Sequence, residues 1–331
     1  MRAGKFRRYH GEGWKQLLAL PTQAKNIRDA FNVGIGLLQS WRLMRKLKPA
    51  IIFSRGGFVS VPVALGGKLA GVPYITHDSD SVPSLANRVI AKWALLHTVA
   101  LPAELYPYPL DNTVTVGIPL SSNYERVTPV LMQQYRHEVG LPRDGQVLLI
   151  TGGGNGADSL NQAMLASAPA LLKRYPELHI VHITGRAAQT AVGASYEAIL
   201  GTAEQGRVHV EGFVTDFYRY SGAADVIVSR AGATNLAEFA VQGKACIIIP
   251  AAHLVGGHQT KNAASFAKHE AIVLMDDAQI EQEHRLATQI IELLDDDARR
   301  QKLGDALHTF GYTNAADQLA RLILEKAGKD A

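Results

Sequence analysis

Cysteine is all but missing: the 331 residues include one, Cys246, so the chain can close no internal disulfide. It lies in the apolar run ACIIIP with no basic neighbour, the setting of a packed thiol rather than a reactive one, and the usage fits a reducing compartment. No run of about 18 apolar residues occurs, which argues against a membrane-spanning helix. The start MRAGKFRRYHGEGWKQ lacks the apolar core of a signal peptide. Its basic residues are not interleaved with aromatics and no recognition motif follows, which argues against nucleic acid as a partner. No second His or acid stands at ligand spacing around His258, so no metal is expected, and no cofactor beyond the substrate.

Acidic residues are scarce at the start. Residues 1–48 hold eleven Lys/Arg against Glu12 and Asp29, a balance of +9. Such a segment suits a phosphate-bearing partner such as an anionic membrane surface, or is simply a solvated face. From Asn26 to Lys48 the residues Ile27, Phe31, Ile35, Leu38, Trp41, Met44 and Leu47 recur at three- and four-residue steps. That spacing predicts an amphipathic helix ended by Pro49, lying in a membrane interface or packed on a sheet.

Short apolar runs then alternate with helical patterns. Strands are expected at 50–54, 72–76 and 95–101, with Gly56 and Gly57 in the first turn. Pro, Ser and Gly cluster at 115–129, where a linker separates domains 1–122 and 123–331. A second series follows, with strands at 146–151, 178–184, 207–212, 224–229, 245–250 and 271–275 and closing helices at 280–294 and 314–327. Continuous apolar strands alternating with helices mean parallel sheets covered on both faces. The expected fold is α/β, two doubly wound Rossmann-like domains facing a cleft, with ligands at the carboxyl ends of the strands.

Three segments of the second half each follow a strand and open a helix. TGGGNGADS (151–159) has glycines that admit a ligand and a helix start that binds phosphate, although it is neither a P-loop nor a dinucleotide fingerprint. A tight strand–helix turn would look similar. SRAGATNLAEF (229–239) repeats the design, and its Glu238 is a carboxylate suited to a ribose diol, unless it is a solvated surface acid. GGHQTKNA (256–263) sets His258, Gln259 and Asn262 on a first turn, with the mixed donors and acceptors that sugar hydroxyls need or that a helix cap uses.

In this order the three segments resemble the MurG family, inverting glycosyltransferases that move N-acetylglucosamine from UDP to lipid I. GKFRRY (4–9), KLKPAIIFSRGGFVSVP (46–62) and HDSDSVPSLAN (77–87) extend the resemblance from about Gly4 to Leu324. It implies a GT-B type fold, UDP-N-acetylglucosamine as donor, an undecaprenyl-diphosphate-linked acceptor, and peripheral attachment to the cytoplasmic face of the membrane. Glu238 would hold the ribose. His258 and Gln259, with Asn262, would hold the sugar. Gly153, Gly154 and Asn155 would lie at the diphosphate, and Gly232, Ala233 and Thr234 over the nucleotide. Gly56 and Gly57 would face the acceptor with His77, Asp78 and Asp80, the three candidates for the general base that the attacking hydroxyl needs. Each of the three can equally be structural, as loop Asp residues often cap helices.

Two departures qualify the resemblance. The family's first strand and GGxxGH loop have no counterpart here, which leaves a truncated first domain, a separate chain supplying the piece, or a protein that has diverged. The family's GNPVR reads GIPLS (117–121), with Ser121 in the arginine's place and Arg126 as a possible stand-in. The competing expectations are a non-catalytic donor-binding subunit and a UDP-sugar epimerase.

Overall fold

A computed structural model describes residues 3–4, 20–154, 156–251, 257–282 and 284–328, with residues 20–26 as backbone only. The chain divides into two compact units. The first runs to Pro119 and also takes the last helix; the second begins at Leu120 and runs to Thr313, apart from a short piece ending at His258.

The first unit opens with α1 (Leu20–Leu47), followed by β1 (Ile52–Ser54), α2 (Ser60–Leu69), β2 (Tyr74–Asp78), α3 (Leu85–Ile90), β3 (Leu96–Val99) and β4 (Thr113–Thr115). The strands form one parallel sheet in the order β1-β2-β3-β4. Its small core gathers Ala64, Tyr74 and Ile90, with Ile52, Val61 and Leu65 against them. Tyr74 is buried because its hydroxyl has a partner, donating to the Ile90 carbonyl at 2.5 Å.

Helix α1 lies close on α2, and glycine permits it: a Cβ on Gly66 would stand 2.5 Å from the Ser40 Cβ. The face that α1 buries holds one acid, two small residues and one thioether, with Asp29, Gly36, Ser40 and Met44 enclosed. Its bulky apolar residues point outward instead: Ile27 and Phe31 are 71% and 70% exposed, Leu47 62% and Leu38 54%. Of the stripe expected to face one way, only Met44 is fully buried. No helix among the described residues is long and apolar enough to cross a membrane.

The second unit holds α4 (Pro129–Glu138), β5 (Gln146–Thr151), α5 (Asp158–Arg174), β6 (Leu178–Ile183), α6 (Gln189–Ile199), α7 (Thr202–Gln205), β7 (Val208–Glu211), α8 (Phe217–Ala223), β8 (Val226–Ser229), α9 (Ala233–Gln242), β9 (Ala245–Ile248), α10 (His258–Lys268), β10 (Val273–Leu274), α11 (Asp277–Ile280), α12 (Arg285–Leu294) and α13 (Asp297–His308). Helix α14 (Ala315–Lys326) belongs to the first unit. The sheet is parallel throughout, in the order β10-β9-β8-β5-β6-β7. Leu148, Ile150, Ile180, Val226, Val228 and Ile247 meet Leu160, Met164, Leu171 and Ile290 of the covering helices in a continuous core. The sheet grows one way from β5 through β6 and the other way from β8, so β5 and β8 flank the topological switch point.

Several elements differ from the sequence expectation. Strand β4 falls at the start of the expected linker, because Thr113-Val114-Thr115 is too short and polar to stand out. Helix α4 also lies just past that stretch, started by the Thr128 side chain accepting from Leu131 N (3.2 Å) with Pro129 in the first turn. The single closing helix expected at 280–294 is two, α11 and α12, broken at His284, which adopts a left-handed φ of 61°. Helix α13, capped by Asp296, was hidden by its run of charged residues.

Candidate functional site

In the second unit, β5, β8 and β9 lie side by side, with Thr151 level with Ser229 and Ser229 level with Ile248. Their carboxyl ends therefore bring together the starts of α5, α9 and α10, the three helix openings picked out from the sequence. After β5, Gly153 takes φ +84° and neither its Cβ nor that of Gly154 would meet anything within 4 Å, so open space lies over the loop. The rest of the turn is tight: a Cβ on Gly156 would stand 2.2 Å from the Thr184 carbonyl. Asn155 lies outside the described residues. Neither α5, preceded by Ala157, nor α9, preceded by Gly232, has a side-chain cap, so their first N–H groups are left for another acceptor. Gly232 and Ala233 are half-buried, Thr234 is exposed, and a Cβ on Gly232 would meet nothing.

Glu238 is half-buried on α9, and burial pushes its carboxyl up to about 7. Tyr124 acts on it in the other direction. His258 begins α10 and is half-buried. The neighbouring side chains hold the loops. Gln259 Oε1 accepts from Ala251 N at 2.9 Å, closing the β9–α10 connection. Buried Asn262 donates to the Ala231 carbonyl at 3.4 Å, tying α10 to the β8–α9 turn.

Sequence reasoning did not single out Arg230 or Tyr124. Arg230 is buried behind the three helix starts: it donates to the Ile249 carbonyl (3.1 Å) and Ser159 Oγ (2.5 Å) and pairs with Asp277 (2.8 Å). One guanidinium thus fixes the ends of β8 and β9 and the start of α5. An arginine directly after an apolar strand was the available signal. Tyr124 carried none. Arg126, the possible stand-in for the family's arginine, pairs with Asp305 of α13 within the same unit.

In the first unit, β1 and β2 are neighbours, so the Gly56–Gly57 turn and the 78–84 loop lie together. Buried Asn87 joins them, donating to the His77 carbonyl (3.0 Å) and Asp78 Oδ1 (2.9 Å) and accepting from Ser54 Oγ (3.2 Å). Gly56, at φ +84°, has no room for a side chain, since a Cβ would be 2.6 Å from Ser84 Oγ; Gly57 has the same φ and open space. Beside Gly57 and Ser84 a mainly apolar cavity of about 530 Å³ opens, walled by Val33, Phe58, Val61, Leu85 and Val89 with the Asp29 carboxylate among them.

The three candidate bases occupy different settings. His77 is enclosed in β2, its Nδ1 on Thr98 Oγ1 (3.1 Å) and its Nε2 without a hydrogen-bond partner among the described residues; burial, then Arg55, lowers it to about 4. Asp78 is buried, accepting from Ser84 N (3.1 Å), Asn87 Nδ2 (2.9 Å) and the Tyr108 hydroxyl (2.7 Å), and burial raises its carboxyl. Asp80 is half-buried in the loop.

Comparison with known proteins agrees with this geometry. The glycosyltransferase family 28 C-terminal domain matches residues 147–319 and the family 28 N-terminal domain residues 15–97. A protein of Salinibacter ruber named UDP-N-acetylglucosamine–N-acetylmuramyl-(pentapeptide) pyrophosphoryl-undecaprenol N-acetylglucosamine transferase is 30% identical over 92% of this chain and 80% of its own length. Its namesake in Syntrophotalea carbinolica is 31% identical over 96% and 86%. Among solved structures, Acinetobacter baumannii MurG superposes with a TM-score of 0.69 at 24% identity, covering 90% of this chain and 79% of that one. A UDP-N-acetylglucosamine 2-epimerase of Listeria monocytogenes reaches 0.66 at 14% identity over 91% and 81%, a likeness of fold alone. The chain belongs to the MurG family of glycosyltransferases.

Proposed function

We propose that this chain transfers N-acetylglucosamine, with inversion, from UDP-N-acetylglucosamine to lipid I, forming lipid II in peptidoglycan synthesis. The observation that carries the reading is the trio of helix starts at the carboxyl ends of β5, β8 and β9, two of them uncapped, with Glu238 one and a half turns along α9. As the sugar leaves UDP, negative charge grows on the diphosphate, and free N–H groups at helix starts stabilise it without a metal. Glu238 takes the ribose hydroxyls, and His258 and Gln259 the sugar.

The acceptor loops support a lipid-linked partner, since the mainly apolar cavity beside Gly57 and Ser84 suits the first isoprenoid units next to a diphosphate. Asp80 is the general base. Asp78 already holds Ser84, Asn87 and Tyr108, and His77 is enclosed in its strand. The outward apolar residues of α1 stand beside Arg28, Arg42, Arg45 and Lys46, an arrangement suited to peripheral attachment at the cytoplasmic face of the membrane.

Incubation with radiolabelled UDP-N-acetylglucosamine and lipid I tests the proposal. Label should pass to the lipid, and D80N should lose transfer by about a hundredfold or more while still binding UDP. Donor binding without transfer would instead favour a donor-binding subunit, and a changed sugar with no acceptor added would favour an epimerase.

A further inference from the structure

The segment that leads into β4 reads Tyr106-Pro107-Tyr108-Pro109. Proline fixes its own φ and keeps the residue before it extended, so each tyrosine sits on a stiff backbone. Both side chains are buried. The Tyr108 ring lies flat on His97 of β3, centroids 3.9 Å apart and planes within 5°, and Tyr106 lies parallel to Tyr108 at 6.3 Å. His97 is fixed in turn by β2, with 2.7 Å between its Nδ1 and Thr76 Oγ1. The Tyr106 hydroxyl accepts from Leu101 N at 3.3 Å, and Thr113 Oγ1 of β4 donates to the Pro109 carbonyl at 2.7 Å. Three strands thus set the place of the Tyr108 hydroxyl, which donates to Asp78 Oδ2 at 2.7 Å. Burial, then Asp78 itself, raises this phenol, so it keeps the proton that it donates.

Asp78 is the last residue of β2, and it spends its other oxygen on the loop that follows. Its Oδ1 accepts from Ser84 N (3.1 Å) and Asn87 Nδ2 (2.9 Å). Ser84 in turn caps α3, accepting from Asn87 N at 3.1 Å. The segment 79–83, which carries Asp80, is therefore tied at both ends to one carboxylate. Among the described residues, Tyr108 is the one donor to that carboxylate from outside the loop and its helix. We propose that Tyr108 is a positioning residue for transfer: through Asp78 it fixes the 79–83 loop, and with it Asp80, on the end of β2. The inference rests on the reading of Asp80 as general base given above. A base must stand within hydrogen-bond reach of the hydroxyl it activates, and a displacement of about 1 Å costs up to about a hundredfold in rate. Without the phenol, Asp78 Oδ2 is left buried and unsatisfied, and the carboxylate turns away from Ser84 to find a new donor, taking the loop with it.

Transfer by the full chain from radiolabelled UDP-N-acetylglucosamine to lipid I, at saturating acceptor, tests this. Y108F keeps the ring on His97 and removes only the hydroxyl. Its kcat should fall about tenfold with the donor KM unchanged. Y106F removes the neighbouring hydroxyl of the same stack and should keep wild-type kcat. Wild-type kcat in Y108F, or an equal loss in Y106F, overturns the proposal. Y108F/D78N covers the case in which Y108F misfolds because a buried charge has lost its donor. The amide removes that charge yet keeps an oxygen for Ser84 and Asn87. Its circular dichroism should match wild type while kcat stays at least about tenfold down. Recovery of wild-type kcat in Y108F/D78N would mean a repaired fold and no positioning role. D80N separates the two claims: wild-type transfer in D80N sinks the base reading, whereas an inactive D80N beside a fully active Y108F sinks this one alone.

Discussion

Glu238 carries two opposed requirements. It is enclosed enough for burial to raise it from an ordinary 4.5 to about 7, yet a ribose is best held by its charged form. The folded chain binds that proton more tightly than the unfolded one. Stability therefore falls as pH rises from about 4.5 to about 7 and stays lower above that range. E238Q removes the titration and should gain roughly 1–3 kcal/mol over wild type at about pH 8 but not at about pH 5. Melting curves with the same offset at both ends would reject the account. The sequence offered Glu238 from its place in RAGATNLAE, whereas Tyr124, 114 positions earlier, was invisible because only folding brings the two together.

The three strand–loop–helix turns differ in how their glycines are used, and substitution separates the uses. G156A places a methyl against the Thr184 carbonyl at φ +76°, so it should cost about 2 kcal/mol or more in stability. G154A meets nothing in the fold and should melt like wild type, but its methyl stands where a diphosphate would approach and should weaken UDP binding. Wild-type UDP affinity in a folded G154A would remove the first loop from the donor site. These turns were legible because glycine after an apolar strand and before a helical pattern is a local signal. The work of Gln259 and Asn262 was not, since the same side chains can serve a sugar or a loop, and their partners Ala251 and Ala231 are fixed only by strand adjacency.

Across the whole chain, the N-terminal basic and apolar segment is the feature that a donor-binding fold leaves unexplained. Helix α1 packs through small residues and sends Ile27, Phe31 and Leu38 outward beside its arginines. Replacing Phe31 and Leu38 by serine should leave the melting curve unchanged, because both are exposed. It should lower binding to anionic phospholipid vesicles by about tenfold or more, the order expected for losing two large apolar side chains from an interface. Equal binding of wild type to neutral and anionic vesicles would exclude the electrostatic part of this reading.

Fold class, the parallel character of both sheets and the family were contained in the order of residues, because apolar runs, glycine turns and helical spacing are local and repeat along the chain. The faces of α1 were not, since periodicity marks a stripe but not the partner it meets, and the close approach at Gly66 gave the buried side to small residues. Nor were the settings of His77, Asp78 and Asp80: three neighbours in sequence differ only in what surrounds them, and the bonds of Asp78 to Ser84, Asn87 and Tyr108 form when β2, α3 and the segment before β4 pack. The meeting of the three helix starts is a product of strand order. β5 and β8 lie 75 residues apart, from Thr151 to Val226, and become neighbours only because the sheet reverses direction there.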